Sequence, residues 1–169
     1  MTLQIWNEID FKIAWSGNQL APYGCAINLL TTVPNYRNAP FSAVAKYIGL
    51  ALRFGHIKFF FDSNGNLTGL MIWGWLAEEV QTRLVAQAQE IPDLHPSEWK
   101  EGRRLQVLTL VALSGSLRET LALARVQMSE FAKVAYWVSR RGRLMWTRLR
   151  GGSIRDNAKL AFQDLAKLS

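Results

Sequence analysis

The run Leu105-Gln-Val-Leu-Thr-Leu-Val-Ala-Leu113 leaves this chain few possible architectures. Alternation sets Leu105, Val107, Thr109, Val111 and Leu113 on one face and Gln106, Leu108, Leu110 and Ala112 on the other. Both faces are mostly apolar, so the strand needs cover on both sides, as the centre of a layered α/β protein provides. The 169 residues fit one domain, and a chain of that size buries about 70% of its unfolded surface. Seven Trp, eight Phe and four Tyr exclude a disordered or low-complexity chain.

The rest of the sequence supplies the layers. Gly24 to Thr32 reads as a helix that stops at Val33-Pro34, because the residue before a proline avoids the helical region. Asn35 to Pro40 reads as a loop between prolines. Val44, Tyr47, Ile48, Ala51 and Leu52 give Phe41–Phe54 a helical period, with Ser42 as its N-cap and Gly55 as its stop. His56–Phe61 and Leu67–Trp75 are β-rich runs around Asp62-Ser-Asn-Gly-Asn66, whose Asn-Gly marks a hairpin. Glu78–Glu90 is expected to be helical. Ser116-Leu-Arg-Glu119 has the form of a capping box. Leu117, Leu121, Ala124, Met128, Phe131, Ala135 and Val138 then recur at steps of three and four, which predicts one long amphipathic helix. Arg143–Arg150 reads as a basic strand, Gly151-Gly152 as a turn and Ser153–Leu168 as a closing helix. Residues 3 to 14 fit no single type. The fold class expected is α/β: a single-domain sandwich over residues 1–169 with a mixed central sheet.

One cysteine, Cys25, excludes an intramolecular disulfide framework and suits a reducing compartment. The first residues lack the basic start and apolar run of a signal peptide. The longest uncharged stretch, Ile13 to Tyr36, is broken by Asn, Gln, Pro and Gly and does not read as a membrane span. A cytoplasmic protein is expected. His56 and His95 make no metal motif with each other and are expected as ordinary solvent-exposed histidines. Of the formal net charge of +7, the stretch from Lys100 to Arg150 carries 11 basic residues against three acids, net +8. Such a field favours encounter with an acidic partner, be it nucleic acid, anionic lipid, an acidic protein or a phosphorylated cofactor.

Three stretches carry a family likeness. The first runs from Val33-Pro-Asn-Tyr-Arg-Asn-Ala-Pro40 through the hairpin to Trp73-Gly-Trp-Leu76. The second is Glu98-Trp-Lys-Glu-Gly102-Arg103 with the central strand and Ala112-Leu-Ser-Gly115. The third is Arg150-Gly-Gly-Ser-Ile-Arg-Asp-Asn-Ala-Lys-Leu-Ala-Phe162. In order and spacing they resemble the RTX-toxin-activating lysine acyltransferases, whose fold is similar to that of the GNAT acetyltransferases. The resemblance implies a GNAT-like sandwich, a homodimer, and transfer of a fatty acyl group from acyl carrier protein to a lysine of a protoxin. No bound cofactor is implied; the carrier's thioester is the donor substrate.

The family's catalytic pair is a histidine in the loop after the first helix and an aspartate on the central strand. The matching positions here hold Tyr36 and Thr109. A histidine near pH 6.5 takes a proton at neutral pH, whereas a tyrosine near 10 only donates one. Ser114, Gly115, Ser116 and Arg118, at the strand-to-helix turn, are the expected place for the phosphopantetheine arm, since free helix N–H groups bind phosphate. Arg103, Arg104, Arg140, Arg141, Arg143, Arg148 and Arg150 are the expected docking face for the acidic carrier. Two other readings compete: a family member that binds an acidic macromolecule as adaptor or inhibitor without catalysis, and a nucleic-acid-binding module using Trp137 and Trp146 for stacking. The last ranks lower because no recognised nucleic-acid motif is present. The acyltransferase expectation requires a parallel strand pair that parts beside residue 115, with Tyr36 at the opening.

Overall fold

A computed structural model describes residues 20–87, 91–139 and 143–149. Helix α1 spans Leu20–Leu30, the single turn α2 Pro34–Arg37 and α3 Phe41–Phe54. Strands β1 (Ile57–Phe61) and β2 (Leu67–Leu76) form the expected hairpin, followed by α4 (Glu78–Gln87) and a 3-10 turn, Pro96–Trp99. Strand β3 (Arg104–Ala112), helix α5 (Leu117–Ser129), β4 (Val134–Val138) and β5 (Leu144–Arg148) complete the described order. The five strands lie in sequence order in one sheet. All neighbours are antiparallel except β3 and β4, which are parallel across α5. This is the mixed-sheet α/β sandwich expected.

The two faces of the sheet carry separate cores. Leu70 and Ile72 of β2 pack with Leu29, Leu30, Tyr47 and Ile48 from α1 and α3. Met71 and Trp73, their alternating neighbours, pack with Leu123, Ala124 and Met128 of α5. Gly102 fixes the approach of the chain to β3. Its amide donates to Trp75 O at 2.9 Å, and a Cβ there would lie 1.7 Å from the Leu76 carbonyl carbon.

Several sequence expectations need correction. The long helix after β3 ends at Ser129, and Ala135 and Val138 belong to β4. The steps of three and four ran on by coincidence into Val-Ala-Tyr-Trp-Val, a β-branched and aromatic run that pairs with β3. Ser116 makes no side-chain cap; held in the right-handed helical region, its Oγ donates instead to Leu113 O (2.8 Å) and Thr68 O (3.0 Å), tying the turn to β2. Ser42 is not the cap of α3, which starts after Pro40 without one. The segment between the prolines contains the helical turn α2, preorganised by Pro34 at its first position. The turn at Gly151-Gly152, the closing helix and residues 3 to 14 lie outside the described residues.

The face assignment of β3 also changes. Leu105 and Val107 lie on the α5 side, whereas Val111 lies on the α1–α3 side. The pairing explains it: Val107 faces Trp73 and Thr109 faces Ile72, so Leu108 is an extra residue on β3. This bulge shifts the phase by one and turns Thr109 toward α3. Gln106, on the same side under α4, accepts from Gln81 Nε2 at 2.7 Å and donates to Val107 O at 3.1 Å, which satisfies the one amide in this strand.

Candidate functional site

Tyr36 and Thr109, 73 residues apart, meet. The Tyr36 hydroxyl and Thr109 Oγ1 share a short hydrogen bond, and the Tyr47 hydroxyl pairs with the same Oγ1 at 2.7 Å. The elements that position them are α2, braced by Pro34, the bulge of β3, and the buried stripe of α3. All three side chains are buried, with 8% of Tyr36, 6% of Thr109 and 3% of Tyr47 exposed. The tyrosine rings stack with centroids 6.3 Å apart.

Burial pushes the Tyr36 hydroxyl above its ordinary pKa, against the opposing pull of its hydrogen bonds to Thr109 and Tyr47. Tyr47 is raised further, by burial first and then by the neighbouring Tyr36. Both stay protonated at neutral pH, so the cluster offers no proton acceptor of histidine strength. The three hydroxyls bond one another, Thr109 to both tyrosines and Tyr36 to Tyr47, so their protons are shared within the cluster. Chemically the arrangement is a neutral donor cluster, suited to an oxyanion or a leaving group.

Tyr47 escaped sequence reasoning because it sits within the apolar stripe of α3. The usable signal is that a tyrosine on a core-facing stripe must bring its hydroxyl to a partner, and Thr109 is the hydroxyl residue in the central strand opposite.

The parallel ladder ends short of this place, where β4 itself stops at Val138. The β3–β4 ladder pairs Leu105 to Val107 with Ala135 to Trp137 and goes no further, while β3 runs on to Ala112. Thr109 therefore lies past the end of the parallel ladder. Beyond it, Ser114 and Gly115 are exposed, with Gly115 at φ +86°, a value that strains any residue bearing a Cβ. Arg118 is exposed on the first turn of α5.

Neither histidine joins the cluster. His56 is buried rather than exposed, contrary to expectation. It stacks on Trp73 at 5.7 Å, and Trp99 stands between it and Tyr47, with centroids 6.2 and 5.8 Å away. Burial, with a smaller contribution from Lys100, lowers its pKa from 6.5 to about 4. His95 is exposed and caps the 3-10 turn through Nδ1, which accepts from Ser97 N. Cys25 is half-buried in α1, its thiol pushed up by burial, away from the reactive thiolate range.

The basic residues are only partly a free face. Arg104 pairs with Glu78 at 2.6 Å, donates to Gln81 Oε1 at 2.9 Å and lies over the Tyr136 ring. Arg103, Arg143 and Arg148 are exposed. Arg140, Arg141 and Arg150 lie outside the described residues. Among the described residues no helix is long and apolar enough to cross a membrane.

The described elements thus define a mixed α/β sandwich with a buried cluster of hydroxyl groups past the end of its short parallel ladder. A family model for HlyC, the RTX toxin acyltransferase family, matches residues 16–147. The chain belongs to that family. Comparison with curated proteins finds no match.

Proposed function

We propose that the protein transfers a fatty acyl group from the thioester of acyl carrier protein to a lysine side chain of an RTX-type protoxin in the cytoplasm. The observation that carries this reading is the meeting of Tyr36 and Thr109, the two positions singled out by the family resemblance, at the end of the β3–β4 ladder. The neutral lysine amine attacks the thioester carbonyl carbon. Charge develops on the carbonyl oxygen, where a hydroxyl of the Tyr36–Thr109–Tyr47 cluster turns its proton from its neighbour to stabilise it. The C–S bond then breaks, the amide forms, and the carrier's sulfur leaves and takes up a proton. The cluster works as donor, so the rate comes from positioning and electrostatics, of which positioning alone is worth roughly 7–11 kcal/mol.

The donor arm runs past Thr109 toward Ser114, Gly115 and Arg118; Ser116 is held by its own bonds to β2 and takes no part. Arg103, Arg143 and Arg148 supply the charge for an acidic carrier. The exposed Trp146 and Leu144 on β5 suit a homodimer contact. The test is incubation with fatty-acyl carrier protein and a protoxin fragment, followed by mass spectrometry. Acylated lysine is expected, with Tyr36→Phe slowing transfer. The absence of any proton acceptor in the cluster favours the adaptor reading as the second choice: salt-sensitive carrier binding without acyl loss establishes it and refutes catalysis.

A further inference from the structure

Tyr47 belongs to two features at once. Its hydroxyl bonds Thr109, and its side chain also lines an open cleft of about 300 Å³. The cleft lies between α3, which contributes Ala43 and Leu50, and the segment after α4, which contributes Leu94; Trp99 completes it. Lys46 and Asp93 also line it and pair with each other at 3.3 Å, with most of both side chains in solvent. Of the polar side chains lining the cleft, Lys46 and Asp93 hold one another and the Tyr47 hydroxyl is held by Thr109, while the buried Trp99 Nε1 has no hydrogen-bond partner. A ligand there is recognised chiefly by apolar area.

We infer that this cleft seats the hydrocarbon end of the donor's acyl chain and sets its length. The inference rests on the acyl-transfer reading above and specifies its substrate. At about 30 Å³ for each water-sized group, the volume accommodates about ten methylenes. A linear chain attached to a carbonyl fits this description: it brings no polar group of its own into the cleft, and Tyr47 connects the cleft to the hydroxyl cluster.

The test uses the full chain and a series of non-hydrolysable acyl-pantetheine ketones of six to sixteen carbons, with binding measured by calorimetry. Affinity is expected to rise about fourfold per methylene, up to about ten carbons, and to level off beyond. Ala43→Trp, placed to fill the cleft, is expected to weaken binding of the ten-carbon probe at least tenfold and to move the break to shorter chains. Leu50→Trp serves the same purpose should the first variant fail to fold. Binding that shows no break, or that is unchanged in a folded filling variant, overturns the cleft assignment. Transfer with the same chain-length profile in wild type and Ala43→Trp also overturns it, while leaving acyl transfer intact. Length-limited binding with no transfer from any donor does the reverse: the cleft stands and the enzyme reading falls.

Discussion

Replacing Thr109 with valine keeps the shape of the side chain and removes the atom on which two tyrosines converge. Each hydrogen bond contributes about 1 kcal/mol net, and a buried hydroxyl left without a partner costs about 1–3 kcal/mol. Tyr36 and Tyr47 both lose this partner and keep only one another, with at most 8% of either exposed to water. Their own hydrogen bond remains and limits the expected loss to about 2–4 kcal/mol. For a chain of this length that lowers Tm by roughly 5–15 °C. Thr109→Ser retains the oxygen and is expected to lose no more than about 1.5 kcal/mol, since a single buried methyl is removed. A double-mutant cycle isolates the network: Tyr36→Phe combined with Thr109→Val is expected to cost less than the sum of the two, by about 1–2 kcal/mol. Circular dichroism melts with urea titrations measure all four proteins. A Thr109→Val protein that melts within about 1 °C of the wild type refutes the shared-oxygen arrangement, and with it the donor cluster.

Three further outcomes are expected. His56, lowered to about 4 in the fold against an ordinary 6.5, stays neutral there while the unfolded chain gains a proton. Its share of stability is therefore complete above pH 6.5 and is lost as pH falls toward 4, by at most about 3 kcal/mol; His56→Phe should flatten that part of a stability-versus-pH curve. The transfer rate should climb about tenfold per pH unit between 7 and 9, following the neutral fraction of the acceptor lysine, about 1 in 2,500 at pH 7; a plateau starting near 6.5 would indicate a histidine base and contradict the donor role. Gly102→Ala should destabilise by more than about 3 kcal/mol in urea titrations, because its Cβ would collide with the Leu76 carbonyl at 1.7 Å; a fully stable variant would show that the end of β2 yields.

The central strand, the hairpin at Asn64-Gly65, helix α3 and the layered class are legible in the sequence, because periodicity and turn chemistry act locally there. Strand β4 is not, since Phe131, Ala135 and Val138 keep a helical step across a segment that parallel pairing with β3 claims. The Tyr36–Thr109 meeting follows from the family likeness, whereas composition and spacing are silent on it. Tyr47 and the burial of His56 both depend on contacts between distant segments. The bulge at Leu108 has no signature in a run that is apolar on both faces, because any phase satisfies such a run.

That bulge separates two requirements that usually constrain each other. A uniformly greasy segment tolerates a slipped count, so whether the extra residue is bulged out or paired decides which compartment receives the hydroxyl, with hydropathy untouched. Excising Leu108 would leave residue 109 opposite Ile72 on the α3 side, whereas flattening the bulge so that Leu108 took that place would send the hydroxyl to the α5 layer. Which layer holds the reactive oxygen is therefore set by strand pairing, and the extra residue is accommodated without displacing it.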